Sequence, residues 1–234
     1  MLKKNIPNFL TLINLGAGVS AILLIYSNEL NWVFLCIGIS LVADLLDGLV
    51  ARLLNVAGPM GVQLDSLADL VSFGVMPAFF LFVIIQPAMD SQLEVILLAS
   101  ASVIYVMCAC WRLAKFNITE HKGNDFSGLP SPAAGLFVLS YGLLILGGTP
   151  TDFDLHIPGI PLLLIIGLLM VSSFRFLSLK FSSAGHKANL YRYLIILLSP
   201  IPLIILGFSG FFISMVLYLF LSIVANFFPI RVKE

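Results

Sequence analysis

Eight long apolar stretches set the strongest limit on what this chain can become. They run roughly over 8–27, 31–54, 63–87, 92–116, 131–148, 158–177, 189–207 and 209–229. A helix needs about 20 mostly apolar residues to cross the bilayer hydrocarbon. The breaks carry turn chemistry: Ser27-Asn28, Gly58-Pro59, Gln86-Pro87, Gly147-Gly148-Thr149-Pro150 and Ser182-Ser183-Ala184-Gly185. Composition points the same way, at 60% hydrophobic and 10% charged with 19 Phe, where soluble domains carry about 25% charged residues. The expected fold is all-α, a polytopic integral membrane bundle of about eight helices. It forms one membrane domain over 1–234, with a catalytic core in about 1–180 and additional helices at about 189–229. Pro200 and Pro202 interrupt the seventh stretch, and Gly207–Gly210 barely separates it from the eighth. The first stretch has a signal-peptide flavour, two lysines before an apolar run, but it is longer than a signal core and is read as a retained helix.

Orientation follows from the basic residues. With eight spans and the N-terminus inside, all 12 Lys and Arg fall on the cytoplasmic side, from Lys3 and Lys4 to Arg231 and Lys233. The opposite loops hold Glu29, Asp90, Glu94, Asp152 and Asp154 and no basic residue. Both termini are therefore expected in the cytoplasm. A net charge of zero offers no basic footprint, so nucleic acid is not an expected partner. Cys36, Cys108 and Cys110 lie in apolar runs and read as small packing residues.

Against this background, residues 44–69 stand out, DLLDGLVARLLNVAGPMGVQLDSLAD. Asp44, Asp47, Gly48 and Ala51 share one face of the second helix, near its cytoplasmic end; Gly61, Asp65, Asp69 and Ser72 share one face of the third. A short connection makes the two helices antiparallel neighbours, with the two stripes facing. Asp47 lies about 10 Å inside the helix end, the depth of lipid phosphates. Four ionised carboxylates repel strongly in a poorly solvated site, and Arg52 is one compensating cation where more are needed. The plainer reading makes them snorkelling interface charges. The sharper one makes them ligands for hard divalent cations, Mg²⁺ or Mn²⁺, with Ca²⁺ also suited. Four carboxylates on two helices suffice for two metals, an arrangement fitted to phosphoryl transfer. Gly48, Ala51 and Gly61 leave room for a ligand or for close helix approach.

The spacing Asp44-x2-Asp47-Gly48-x2-Ala51-Arg52-x8-Gly61-x3-Asp65-x3-Asp69 resembles the signature of the CDP-alcohol phosphotransferase family, at eight fixed positions over 26 residues. The runs IPNFLT (6–11), LDSLADLVSFGVMPA (64–78), RLAKFN (112–117) and GLPSPAAG (128–135) resemble the phosphatidylserine synthase branch of that family. The resemblance covers about the first 135 residues; the later helices match only in hydropathy. It implies transfer of a phosphatidyl group from CDP-diacylglycerol to an alcohol, L-serine in that branch, with release of CMP. It further implies that Asp44 and Asp65 bridge two metals, that Asp47 completes one site and Asp69 the other, and that Asp69 accepts the alcohol proton. Gly48, Ala51, Arg52 and Gly61 would lie at the CDP moiety, with Asn8 and Thr11 near the substrate phosphates. It also implies a homodimer in the cell (inner or plasma) membrane, in contact with membrane lipid, its active site facing the cytoplasm.

Other polar residues carry two readings each. Arg112 and Lys115 are either anchors at the cytoplasmic face or contacts for phosphate or the serine carboxylate. Arg175 and Lys180 read as anchors, and His121, His156 and His186 as loop residues. Ser66 and Ser72 are either substrate contacts or partners of backbone carbonyls within their own helix. Two rival functions remain: a sibling enzyme acting on glycerol 3-phosphate or inositol, which would share the whole Asp motif, and a divalent-cation transporter. Against the transporter, the cluster sits at one membrane face and no acidic counterpart lines the later helices.

Overall fold

The computed structural model describes residues 2–56, 58–118, 128–147, 156–174, 176–177 and 190–227, with side chains for all of these but 2–4 and 208. Helix α1 spans Leu2–Tyr26 and α2 Leu30–Leu53. Helix α3, Pro59–Asp69, passes through a π-helical turn at Leu70–Val75 directly into α4, Met76–Ile85. Helices α5 (Gln92–Ile118), α6 (Ser131–Leu146), α7 (Gly159–Val171), α8 (Leu190–Leu198), α9 (Pro200–Leu206) and α10 (Phe208–Phe227) complete the bundle. Among the described residues there is no strand. The protein is a multi-pass membrane helix bundle.

The eight expected stretches all appear as helix, with two adjustments. Five are long and apolar enough to cross a membrane: Asn5–Tyr26, Leu30–Leu53, Pro59–Ala88, Gln92–Ile118 and Ser209–Phe227. Ser131–Leu146, Gly159–Val171 and Leu190–Leu206 are apolar but shorter. The sixth stretch, expected to reach residue 177, ends its helix at Val171, where Ser172 turns extended. The seventh is split into α8 and α9 at Ser199, because Pro200 cannot continue the helical hydrogen-bond ladder. Lys122, Arg175, Lys180, Lys187, Arg231, Lys233, Asp152, Asp154, His121 and His186 lie outside the described residues.

Local chemistry explains the ends nearest the cluster. Asn28 (φ 60°) closes α1 and Asn55 (φ 52°) follows α2, both in the left-handed region that Asn tolerates better than most side chains. Pro59 stands at the start of α3, where its missing N–H costs no helical bond.

The α3–π–α4 rod is the centre of the bundle: 61% of its most apolar window is buried, against 22–33% for the other four long helices. One apolar core joins α4 to α5, α6 and α7 through residues such as Leu81, Ile85, Leu98, Tyr105, Val138 and Leu163. A second joins it to α1 and α2 through Ala21, Ile25, Val33, Met76 and Phe80. Large apolar side chains such as Leu45, Trp111 and Ile204 point outward, as a lipid-facing surface requires.

The π turn is tied on two sides. A π turn leaves carbonyls poorly matched within the helix, and the Tyr105 hydroxyl on α5, fully buried, donates to the Phe73 carbonyl at 2.9 Å. Ser72 donates to the Asn14 carbonyl on α1 at 3.1 Å. Two glycines of the GLPSPAAG run are forced by this packing. Gly128 sits at φ 86° with the Met170 carbonyl where a Cβ would stand, and a Cβ on Gly135 would meet the Phe73 backbone at 2.9 Å. The run thus holds α6 against the π turn.

Candidate active site

Aspartates one turn apart on each of two helices supply the centre. On α2, Asp44 is half-buried and Asp47 is buried; on α3, Asp65 is half-buried and Asp69 is buried. One carboxylate oxygen from each of Asp44, Asp47 and Asp65 lies within 4.8 Å of the other two, a set able to hold a metal ion. Asp69 stands outside that trio but within side-chain hydrogen-bonding reach of Asp44. Arg52, the basic residue nearest to them in the sequence, donates to the Gly48 carbonyl rather than to any of the four. Negative charge of this density in an apolar bundle favours a bound cation, and an all-carboxylate donor set suits a hard one.

The two carboxylate helices do not pack side by side, which corrects the expectation of antiparallel neighbours. Helix α1 packs extensively on α2 and also on α3, while α2 and α3 barely meet. The carboxylates converge across the gap. Direct helix contact would press like charges together with no room for a ligand, so α1 acts as the spacer.

Helix α1 also carries polar groups to the site at one-turn intervals. A Cβ on Gly61 would come within 3.3 Å of Asn8 Oδ1, so Asn8 lies against the start of α3. Thr11, buried, donates its hydroxyl to Asp47 Oδ2 at 2.6 Å. Asn14, buried, donates from Nδ2 to Asp69 Oδ1 at 3.3 Å. Its Oδ1 accepts from the buried Ser40 hydroxyl of α2. Asn14 and Ser40 are absent from the residues picked out in the sequence. Their register offered the signal: Asn14 is one turn after Thr11 and Ser40 one turn before Asp44.

Several expected residues make contacts that the sequence did not indicate. Arg52 is exposed and donates from Nε to the Gly48 carbonyl at 3.0 Å, so it is not the counter-charge of the aspartates. Its position in the last turn of α2 lets it satisfy a backbone carbonyl instead. Ser66 and Ser72 reach across to other helices rather than to backbone carbonyls of their own. The Asn117 amide of α5 donates to Ser66 Oγ at 2.9 Å, which brings the C-terminal end of α5 to the second half of α3, next to Asp65 in the chain. Arg112 and Lys115 therefore belong to the cluster's end of the bundle. Arg112 Nη1 donates to Ser131 Oγ at 2.7 Å. Its Nε is buried with no hydrogen-bond partner among the described residues, and the guanidinium is close enough to feel Asp69 and Tyr218. Lys115 is exposed, and His156 lies in the turn before α7. Gly48 is exposed at open space and Ala51 is half-buried beside it. The three cysteines form no disulfide.

A carboxylate trio near the ends of two helices in a membrane bundle, beside a glycine that opens onto space, is a set able to hold a metal ion with room next to it for a ligand. Comparison with known proteins names the class. The chain belongs to the CDP-alcohol phosphatidyltransferase family, whose model matches residues 4–224. Among its relatives is a CDP-diacylglycerol–serine O-phosphatidyltransferase of Methanocaldococcus jannaschii, 34% identical over 171 residues, covering 73% of this chain and 73% of the relative. An archaetidylserine synthase of Methanothermobacter thermautotrophicus is 30% identical, covering 73% of this chain and 69% of the relative. A CDP-diacylglycerol–serine O-phosphatidyltransferase of Helicobacter pylori is 28% identical and covers 93% of this chain and 89% of its own.

Proposed function

We propose that the chain is a CDP-diacylglycerol–serine O-phosphatidyltransferase, moving a phosphatidyl group to the hydroxyl of L-serine and releasing CMP. The observation that carries the chemistry is the convergence of Asp44, Asp47 and Asp65 within 4.8 Å of one another; the serine acceptor is supported by the names of the relatives. Asp44 and Asp65 would be shared between two divalent cations, Mg²⁺ or Mn²⁺, with Asp47 completing one site and Asp69 the other. Metal there would neutralise the pyrophosphate and the charge developing on departing CMP.

The chain's own residues then divide the work. Gly48 and Ala51 let the nucleotide approach α2 closely, Gly61 and Asn8 line the facing side, and Arg52, held on the Gly48 carbonyl, borders the same space. Thr11 fixes the Asp47 carboxylate. A serine hydroxyl is a weak nucleophile at neutral pH and needs a positioned proton acceptor. Asp69 takes that role. Arg112, with its unpartnered Nε, receives the serine carboxylate, a pairing for which a planar guanidinium is well shaped. Ser66 and Lys115 lie on the same rim. An apolar groove between α1 and α2, lined by Leu10, Ile13, Phe34, Val42 and Leu46, suits the donor's acyl chains. The charge sorting in the sequence supports an active site on the cytoplasmic face, and family likeness supports a homodimer.

The test is CMP release from CDP-diacylglycerol by purified protein, with serine set against glycerol 3-phosphate and inositol, before and after chelation. Serine alone should sustain turnover, lost on chelation and restored by Mg²⁺ or Mn²⁺. Full turnover in excess chelator would sink the metal reading; preference for another alcohol would reassign the acceptor.

A further inference from the structure

The fourth aspartate is held differently from the other three. Asp44, Asp47 and Asp65 converge, whereas Asp69 is engaged by a fully buried amide that belongs to neither carboxylate helix. Asn14 on α1 meets both of those helices at once. Its Nδ2 donates to Asp69 Oδ1 at 3.3 Å, its Oδ1 accepts from Ser40 on α2, and its backbone carbonyl accepts from Ser72 in the π turn at 3.1 Å. An ionised carboxylate only accepts hydrogen bonds, so Asn14 must present its NH₂ group to Asp69. Its carbonyl oxygen must then face Ser40, whose hydroxyl has to donate. Each member of the chain fixes the orientation of the next.

We propose that Asn14 and Ser40 are a positioning pair for the proton acceptor, committing one oxygen of Asp69 to α1 so that the other is presented to the second metal site and the incoming alcohol. The inference rests on the assignment of Asp69 as that acceptor. Neither residue touches the reacting atoms; each acts through the carboxylate. A simpler role, polar contact between packed membrane helices, predicts a different pattern of losses. If Asn14 and Ser40 only hold helices together, removing them lowers stability and disturbs every ligand alike. If they orient Asp69, removing them lowers turnover and leaves donor binding and the metal site of Asp44, Asp47 and Asp65 in place.

The experiment uses the full chain in Asn14→Leu, Ser40→Ala, Ser40→Thr and Asp69→Asn forms, and in the Asn14→Leu/Asp69→Asn double form. Four quantities are read: kcat for CMP release with serine, KM for CDP-diacylglycerol, equilibrium Mn²⁺ binding by electron paramagnetic resonance, and the unfolding temperature. Asn14→Leu should lower kcat by about 10- to 100-fold, the usual weight of a hydrogen bond to a charged group. Donor KM and Mn²⁺ affinity at the site of Asp44, Asp47 and Asp65 should stay within about twofold of the parent, the margin for a group that touches neither. Ser40→Ala should show a smaller loss of the same kind, and Ser40→Thr, which keeps the hydroxyl, should restore turnover. In the Asp69→Asn background Asn14→Leu should cost little more, because its effect runs through Asp69. If Asn14→Leu does not fold, the Ser40 pair decides alone. Losses that multiply in the double form overturn the proposal, as does equal weakening of donor and Mn²⁺ binding. A dead Asp69→Asn beside a fully active Asn14→Leu overturns only this inference; a fully active Asp69→Asn overturns the proton-acceptor assignment with it.

Discussion

Replacing Gly48 by alanine should move stability and activity in opposite directions. Gly48 lies inside α2, exposed, and a Cβ built there has no heavy atom within 4 Å. Nothing in the protein therefore opposes the new methyl. Glycine in a helix interior is about 1 kcal/mol less favourable than alanine. The variant should unfold roughly 2–4 °C higher, the shift that about 1 kcal/mol produces in a chain of this size. Catalysis should suffer, because the same methyl would stand where the nucleotide approaches the backbone. Overfilling a close contact costs about 1–3 kcal/mol, or about 5- to 150-fold in apparent donor affinity. The assay pairs a thermal melt of the purified protein with KM for CDP-diacylglycerol at saturating serine. An unchanged KM would show that the space beside Gly48 is not used by the donor. A lower melting temperature would show that α2 is packed there after all.

Three further outcomes follow from other contacts. Arg112→Gln should raise KM for serine by about tenfold or more, the loss of one charge-assisted pair, with donor KM nearly unchanged; an altered donor KM alone would remove Arg112 from the acceptor site. Tyr105→Phe strands the Phe73 carbonyl in the buried π turn and should cost about 1–3 kcal/mol of stability in a thermal melt, whereas an unchanged melt would mean that the turn does not depend on that bond. In a chain whose three native cysteines are replaced by serine, Lys122→Cys should react with an impermeant thiol reagent only from the cytoplasmic side and Asp90→Cys only from the other; the reverse pattern would invert the topology.

The helices and the carboxylates were legible for physical reasons, and so were the gaps. An apolar run bounded by Asn28 or by Gly58-Pro59 can only be a helix with its ends there, because lipid leaves the backbone no other partner. Asp44, Asp47, Asp65 and Asp69 announce themselves since ionised groups inside apolar spans demand a reason. Pairwise packing is another matter. Chain order suggested that α2 would pack on α3, and nothing in hydropathy says that α1 packs on both of them while they barely meet. The π turn was equally silent, because Leu70–Val75 reads like any other apolar turn until Tyr105 and Ser72 are seen satisfying its surroundings. Asn14 and Ser40 were overlooked because a neutral polar residue in a span is common and carries no charge to balance.

The glycines show how the molecule divides between a stiff back and an open front. Behind Asp69 they are filled: a side chain on Gly18 would collide with Ser72, and one on Gly135 with the Phe73 backbone. These are the contacts that press α1 and α6 onto the π turn, and they restrict how the Asp69 carboxylate can move. On α2 the pattern reverses, for Gly38 and Gly48 both face open space. A helix gains nothing in stability from such glycines, since each weakens it relative to alanine. Packing accounts for the first group and leaves the second without a structural cause. A ligand that approaches α2 from the side of Asp44 and Asp47 supplies that cause at Gly48. The rigid half then holds the proton acceptor still while the open half admits a bulky lipid nucleotide, which is the preorganisation a reaction built on positioning requires.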